Sequence, residues 1–286
     1  MDPHVIEVEL KRPNSNTSLF FYNKLVFIFL VISETIYFIY FVRCTTRFKT
    51  TRDWKFLFPL TAALFAFMNN FNDILHIIFA PMNPTINCQS LFLTVFKITA
   101  LFNWTPISFV QILRLYHLTK GYYTPYWHRA ITTISVSLSV LYCTAYYYNL
   151  AGFNASKNKF YGCSVYNVNN GIRSYMIELT DTLDSSYSLV IIIISIRKAL
   201  QDSRHYKLRH QKLKALKDES MIIFIVLTVS KILIYSLIMA HKKDPGGDIY
   251  WDVLSVIVIA CSYRIVNFKP KMNVNMKYYY YNYIYN

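Results

Sequence analysis

Residues 221–240 read MIIFIVLTVSKILIYSLIMA, a run with one charge, Lys231, and neither proline nor glycine. Twenty residues of helix rise about 30 Å, the thickness of a bilayer's hydrocarbon core. In lipid, only a helix or a closed barrel pairs every backbone donor and acceptor, so this stretch reads as a spanning helix. Residues 20–42, 54–80 and 249–268 form similar apolar runs. Residues 91–115 and 130–150 keep the length but carry scattered Thr, Ser and Asn. Residues 175–196 are the least apolar, because Glu178, Asp181 and Asp184 fall in their first half. The pattern predicts an all-α membrane protein. Its seven-helix bundle covers residues 20–268, between an N-terminal segment, 1–19, and a tail, 269–286.

Composition agrees. Of 286 residues, 54% are hydrophobic, 17% aromatic and 16% charged. That balance excludes a disordered chain, a collagen and a small disulfide scaffold. It also argues against a soluble enzyme, because so little polar surface cannot cover apolar runs of this length. The net charge of +15 reads as cytoplasmic loop charge rather than nucleic-acid binding, since the basic residues lie between the apolar runs.

The loops set the orientation. With seven spans and the N-terminus outside, the inner segments hold Arg43, Arg47, Lys49, Arg52 and Lys55, then Arg114, Lys120 and Arg129. Eight more Lys and Arg lie in residues 197–220, and Arg264, Lys269, Lys271 and Lys277 end the chain. The loop between the second and third spans has none. The positive-inside rule therefore places the N-terminus outside and the C-terminus in the cytoplasm. The sequons Asn16-Thr17-Ser18 and Asn154-Ala155-Ser156 then face outward as glycosylation sites, consistent with a multi-pass plasma-membrane protein. The first 19 residues lack the pattern of a cleavable signal peptide, so the first span is expected to direct insertion.

Five cysteines are present, and no spacing among them suits zinc. In this topology only Cys88, at the outer start of the third span, and Cys163, in the next outer loop, face an oxidising compartment. They are the pair available for a disulfide, the alternative being two free thiols. Cys44, just inside the first span, is either an acylation site or an idle interfacial thiol.

Seven spans, a cysteine opening the third and another in the following outer loop resemble the G-protein-coupled receptors. The third span ends Gln111-Ile112-Leu113-Arg114-Leu115-Tyr116, which resembles the Asp-Arg-Tyr element of rhodopsin-like receptors. Here the acid before the Arg is absent, and Leu115 separates Arg114 from Tyr116. Cys88-Gln89, Trp104-Thr105, Tyr116, and Tyr161-Gly162-Cys163 followed by Arg173 are similar to the slime-mould cyclic-AMP receptor and fungal glucose-sensing receptor group. The resemblance implies an extracellular ligand, a heterotrimeric G-protein partner, and a coupling role for Arg114 and Tyr116.

Charges at membrane depth are costly and face a cavity or a partner. Asp73 in the second span, Lys97 in the third, and Asp181 and Asp184 in the fifth are expected to line an outer polar cavity, with Lys97 paired to one of the three acids. Glu34 and Lys231 are further mid-span charges without an assigned partner. Pro106 should kink the third span by removing a backbone donor, with Asn103 or Thr105 answering the stranded carbonyl. A retinal protein is excluded because the seventh span has no lysine for a Schiff base.

Residues 197–220 are expected to extend the fifth and sixth spans as helix. Their charge suits a G-protein surface, and generically also anionic headgroups. Glu219 could pair with Arg114 across the inner mouth and hold an inactive state. The competing function is a secondary transporter or channel using the buried Asp and Lys residues. Transporters show internal repeats and Gly/Pro-broken helices, whereas this chain has 6 Gly and no visible repeat. No His-rich or paired-carboxylate motif points to catalysis, and none calls for a cofactor or metal.

Overall fold

The computed structural model describes residues 15–80, 82, 86–120, 123–158, 162–167, 172–202, 207–240 and 247–267. Seven long helices appear in chain order: α1 (Ser15–Thr51), α2 (Leu57–Phe79), α3 (Leu93–Lys120), α4 (Pro125–Ala151), α5 (Ile172–Asp202), α6 (Lys207–Ala240) and α7 (Gly247–Asn267). All seven are long and apolar enough to cross a bilayer, so the chain is a multi-pass membrane protein. Helices α5 and α6 flank residues 203–206 closely, as the helical reading of residues 197–220 expects. The N-terminal segment 1–14 and the tail from residue 268 lie outside the described residues.

Each helix packs on its chain neighbours, and α7 returns to α1, closing a ring. Helix α3 also touches α5 and α7, which places it toward the middle. Burial gains little free energy where the surroundings are lipid, so close packing must hold the helices together. Small side chains permit it: Ala62, Ala63 and Ala66 on α2 and Ala100 on α3 are buried in the shared core. Larger side chains, among them Tyr37, Leu115, Phe224, Leu227, Leu254 and Ile259, fill that core. Ile28, Ile32, Phe38, Val140, Ile222 and Leu233 point outward, as lipid-facing residues should.

Local signals fix the helix ends. Pro125 opens α4, where its missing N–H costs nothing. Between α1 and α2, Arg52 takes a left-handed backbone (φ 51°), and the Asp53 carboxylate accepts from the Lys55 amide at 3.2 Å. Pro106 lies inside α3. The two candidates for its stranded carbonyl turn elsewhere: the Thr105 hydroxyl donates to the Leu101 carbonyl, and the Asn103 amide donates to Ser255 on α7.

One departure from an all-α reading is a hairpin between α4 and α5, with β1 (Phe153–Asn158) antiparallel to β2 (Gly162–Asn167). It packs on the C-terminus of α2 and the N-terminus of α3, at the end of the bundle where α4 and α6 end and α5 and α7 begin. Cys163 bonds Cys88 with a Cα–Cα distance of 5.5 Å, so the two cysteines are a disulfide, not free thiols. Around it Ala80, Phe92, Leu93 and Ala155 form a small apolar core separate from the main one. The Gln89 side-chain amide donates to the Ala155 carbonyl at 2.8 Å.

Gly162 sits at φ +72°, and a Cβ there would lie 2.1 Å from the His76 carbonyl oxygen of α2. Backbone cannot yield as a flexible side chain would, so only glycine lets the hairpin seat. Gly162→Ala is expected to unseat it, lowering stability by about 2 kcal/mol and raising free-thiol labelling of Cys88 and Cys163. Wild-type labelling and unchanged thermal stability would refute this seating.

Candidate functional site

The interior charge is concentrated where α5 meets α6. The Lys231 ammonium donates to Asp181 Oδ1 at 2.6 Å and to the Ser185 hydroxyl at 2.9 Å. The Tyr235 hydroxyl donates to Asp181 Oδ2. Both carboxylate oxygens of Asp181 are thereby engaged, and both side chains of the ion pair are almost fully buried. An unpaired charge here would be expensive, whereas this pair is neutral overall and hydrogen-bonded.

Helical spacing builds the rest. On α5, Glu178, Asp181, Asp184, Ser185 and Ser188 are buried. They recur at three- and four-residue steps and so share one face. On α4, Ser135, Ser139, Tyr142 and Tyr146 are buried with a similar period. The Ser139 hydroxyl donates to Asp184 Oδ2 at 3.1 Å. Asp184 Oδ1 and the hydroxyls of Ser135 and Ser188 are buried with no hydrogen-bond partner among the described residues. Ser135 and Ser188 each lie one turn from the Ser139–Asp184 contact, on the side away from the hairpin. Buried polar atoms of this kind are ordinarily satisfied by water or a ligand.

Aromatic rings pack beside the cluster. Trp251 of α7 lies edge-on to Trp104 of α3 and tilted against Tyr235, each at 5.8 Å between centroids. The Tyr146 hydroxyl donates to the Ala100 carbonyl, and Tyr37 of α1 donates to the Asp252 carbonyl. Asp181 lies nine residues into α5 and Lys231 nine residues before the end of α6. Each is about 14 Å along its helix from the hairpin end.

This arrangement corrects the expected pairing. Among the described residues Lys97 forms no ion pair with Asp181 or Asp184; its ammonium donates to the Ala151 carbonyl at 3.3 Å. That carbonyl ends α4, where the helix dipole attracts a cation. Asp73 is half-buried on α2, which packs on α1, α3 and α7, whereas Asp181 and Asp184 lie on α5. Asp181 and Asp184 therefore share one buried face of α5, where Lys231 bonds Asp181 and Ser139 bonds Asp184. The sequence signal for Lys231 is its depth, matched to that of Asp181. Tyr235, Ser185 and Ser139 follow by helical spacing once that pair is known.

At the opposite end Arg114 is half-buried, and Tyr116 is exposed with its ring against His128 at 4.8 Å. The side chain of Glu219, the proposed partner of Arg114, lies outside the described residues, as does that of Asn16. Asn154 lies on β1 opposite Tyr166. Cys44 is fully buried, which removes it as an acylation site in this conformation. No protein-family model matches the chain, and no curated protein matches it.

Proposed function

We propose that the chain is a signalling receptor of the G-protein-coupled kind, with no catalytic chemistry of its own. Its ligand enters from the hairpin end, which faces outward, and is read by the Asp181–Lys231–Asp184 cluster. The observation that carries this reading is that cluster: a buried, partly unsatisfied polar site beneath a disulfide-tied hairpin in a closed seven-helix ring. Asp184 Oδ1 and the Ser135 and Ser188 hydroxyls leave hydrogen-bonding capacity that water fills at rest and a polar ligand can take over. The basic opposite end, with Arg114 and Tyr116, is the cytoplasmic face that takes a heterotrimeric G-protein, and Glu219 holds Arg114 in the resting state. The plasma membrane is the site of action, with glycans at Asn16 and Asn154.

The test is co-isolation of a heterotrimeric G-protein from native membranes, using wild type and a chain with residues 199–218 scrambled. Capture that GTP releases, and that the scramble abolishes, supports the receptor reading. Asp184→Asn should keep surface expression while shifting basal capture by about threefold or more, since it alters a buried charge beside the α5–α6 pair. Absence of capture from surface-expressed protein would refute the reading. The transporter alternative has one observation in its favour, a carboxylate beside a buried ion pair at mid-membrane. It requires proton or solute flux that Asp184→Asn abolishes.

A further inference from the structure

One interior acid, Glu34, lies on α1, away from the α5–α6 cluster. It follows Lys24 by ten residues and precedes Arg43 by nine, so the nearest cations of its own helix are about 14–15 Å away along the axis. Glu34 is part-exposed, yet both of its carboxyl oxygens are buried with no hydrogen-bond partner among the described residues. What meets lipid is therefore not the carboxyl. Helix α1 packs on α2, on α7 and on the turn that carries Lys55, and that turn follows the last residue of α1. The Asn70 side-chain amide donates to the Ser33 hydroxyl at 2.9 Å, which sets α2 against α1 one residue from Glu34. From that level Asp73 and His76 lie about 5 and 9 Å toward the hairpin, and residues 57–79 hold no Lys or Arg. On the α7 side the buried Tyr37 donates to the Asp252 carbonyl at 3.2 Å, and both Asp252 and Glu34 lie within electrostatic reach of its hydroxyl. Arg264, the one basic residue of α7, is twelve residues beyond Asp252, about 18 Å along the helix. No cation stands level with Glu34, and the charged residue that α7 brings nearest is another acid.

We propose that Glu34 is an intramembrane proton-binding site, occupied at neutral pH, whose proton holds α1 against α7. An ionised carboxylate stripped of water and of any countercharge is far more costly than the neutral acid. Lipid on one flank and packed helices on the other keep water from this carboxyl. A movement of α1 that lets water reach it ionises the acid and releases the proton to solvent. The packed arrangement thus binds one proton more than the parted one, so acid favours packing and base favours parting. The site rests on α1 and its two neighbours, and does not depend on the receptor reading.

The experiment uses the full chain in phosphatidylcholine nanodiscs. Infrared spectra at neutral pH, wild type minus Glu34→Gln, should contain the carbonyl stretch of a protonated carboxyl. Glu34→Asp keeps the acid and should move that band rather than remove it, which assigns the signal independently of the Gln variant. Hydrogen exchange over residues 30–41 then reads the second half of the proposal. In mild acid, wild type and Glu34→Gln should exchange alike. In base, wild type should exchange faster than Glu34→Gln by about threefold or more, because only the carboxyl can ionise and part the helices. Chemical base catalysis of exchange is common to both chains and cancels in the comparison. An intact Cys88–Cys163 bond and a monodisperse profile report folding of each variant. A spectrum that neither substitution changes overturns the proton site. Equal exchange of the two chains in base overturns the role of the proton in holding α1.

Discussion

Lys231→Met is expected to destabilise the protein by about 3–5 kcal/mol, among the largest effects of any single substitution in the bundle. The substitution nearly conserves volume, so packing changes little. What it removes is the countercharge of Asp181, whose side chain is 2% exposed. Tyr235 still donates to one oxygen, but one hydrogen bond does not stabilise a carboxylate at membrane depth. The double variant Asp181→Leu with Lys231→Met should recover most of the loss, because replacing both partners of a buried pair with apolar groups is often close to neutral. Thermal unfolding in a fixed lipid composition, run as a double-mutant cycle, measures the coupling. If the double variant is as unstable as the sum of the singles, the pair contributes no coupling and the account is wrong. The cycle also separates structure from signalling. A recovered fold with lost G-protein capture would mean that the charges are needed for response and not for stability.

The bundle was legible in the sequence because lipid makes the rule simple. A spanning helix must be long, apolar and internally hydrogen-bonded, and residues 221–240 satisfy all three without reference to any neighbour. The disulfide was legible once the spans placed Cys88 and Cys163 on one side. The polar cluster was only half legible. Glu178, Asp181 and Asp184 declare themselves as charges in a span, but their partner depends on which helix faces α5, which is a property of the ring and not of any segment. Lys97 looked suitable because it shares the right half of the membrane, yet the end of α4 offers it a carbonyl nearer at hand. The hairpin was missed for a different reason. Its strands are six residues each, and their apolar side chains pack on the ends of α2 and α3, so the period-2 signal is short and mixed with polar positions. Gly162 is visible as a residue, but the reason for it, the His76 carbonyl, comes from a helix distant in the sequence.

Removing the disulfide is the second large effect expected. For a free chain, a cross-link spanning 75 residues would contribute more than 4 kcal/mol of loop-closure entropy. Here α3 and α4 lie between the two cysteines, and in the membrane they remain helical and confined when the bond is cut. Only the hairpin and its short connections gain freedom. Cys163→Ser is therefore expected to cost about 2 kcal/mol, at the lower end of the usual range. Its functional consequence should exceed its effect on global stability. The hairpin would retain the Gln89–Ala155 hydrogen bond and the small core around Phe92 and Ala155, enough to sample the seated position but not to hold it. Hydrogen exchange should consequently rise in residues 153–167 and change little in α5 and α6. Cys88→Ser and the double variant should match Cys163→Ser in both readouts, because all three remove the same bond. Exchange spreading through the whole bundle would show that the hairpin supports the helices themselves. Unchanged exchange in the hairpin would show that packing alone seats it and that the disulfide is dispensable.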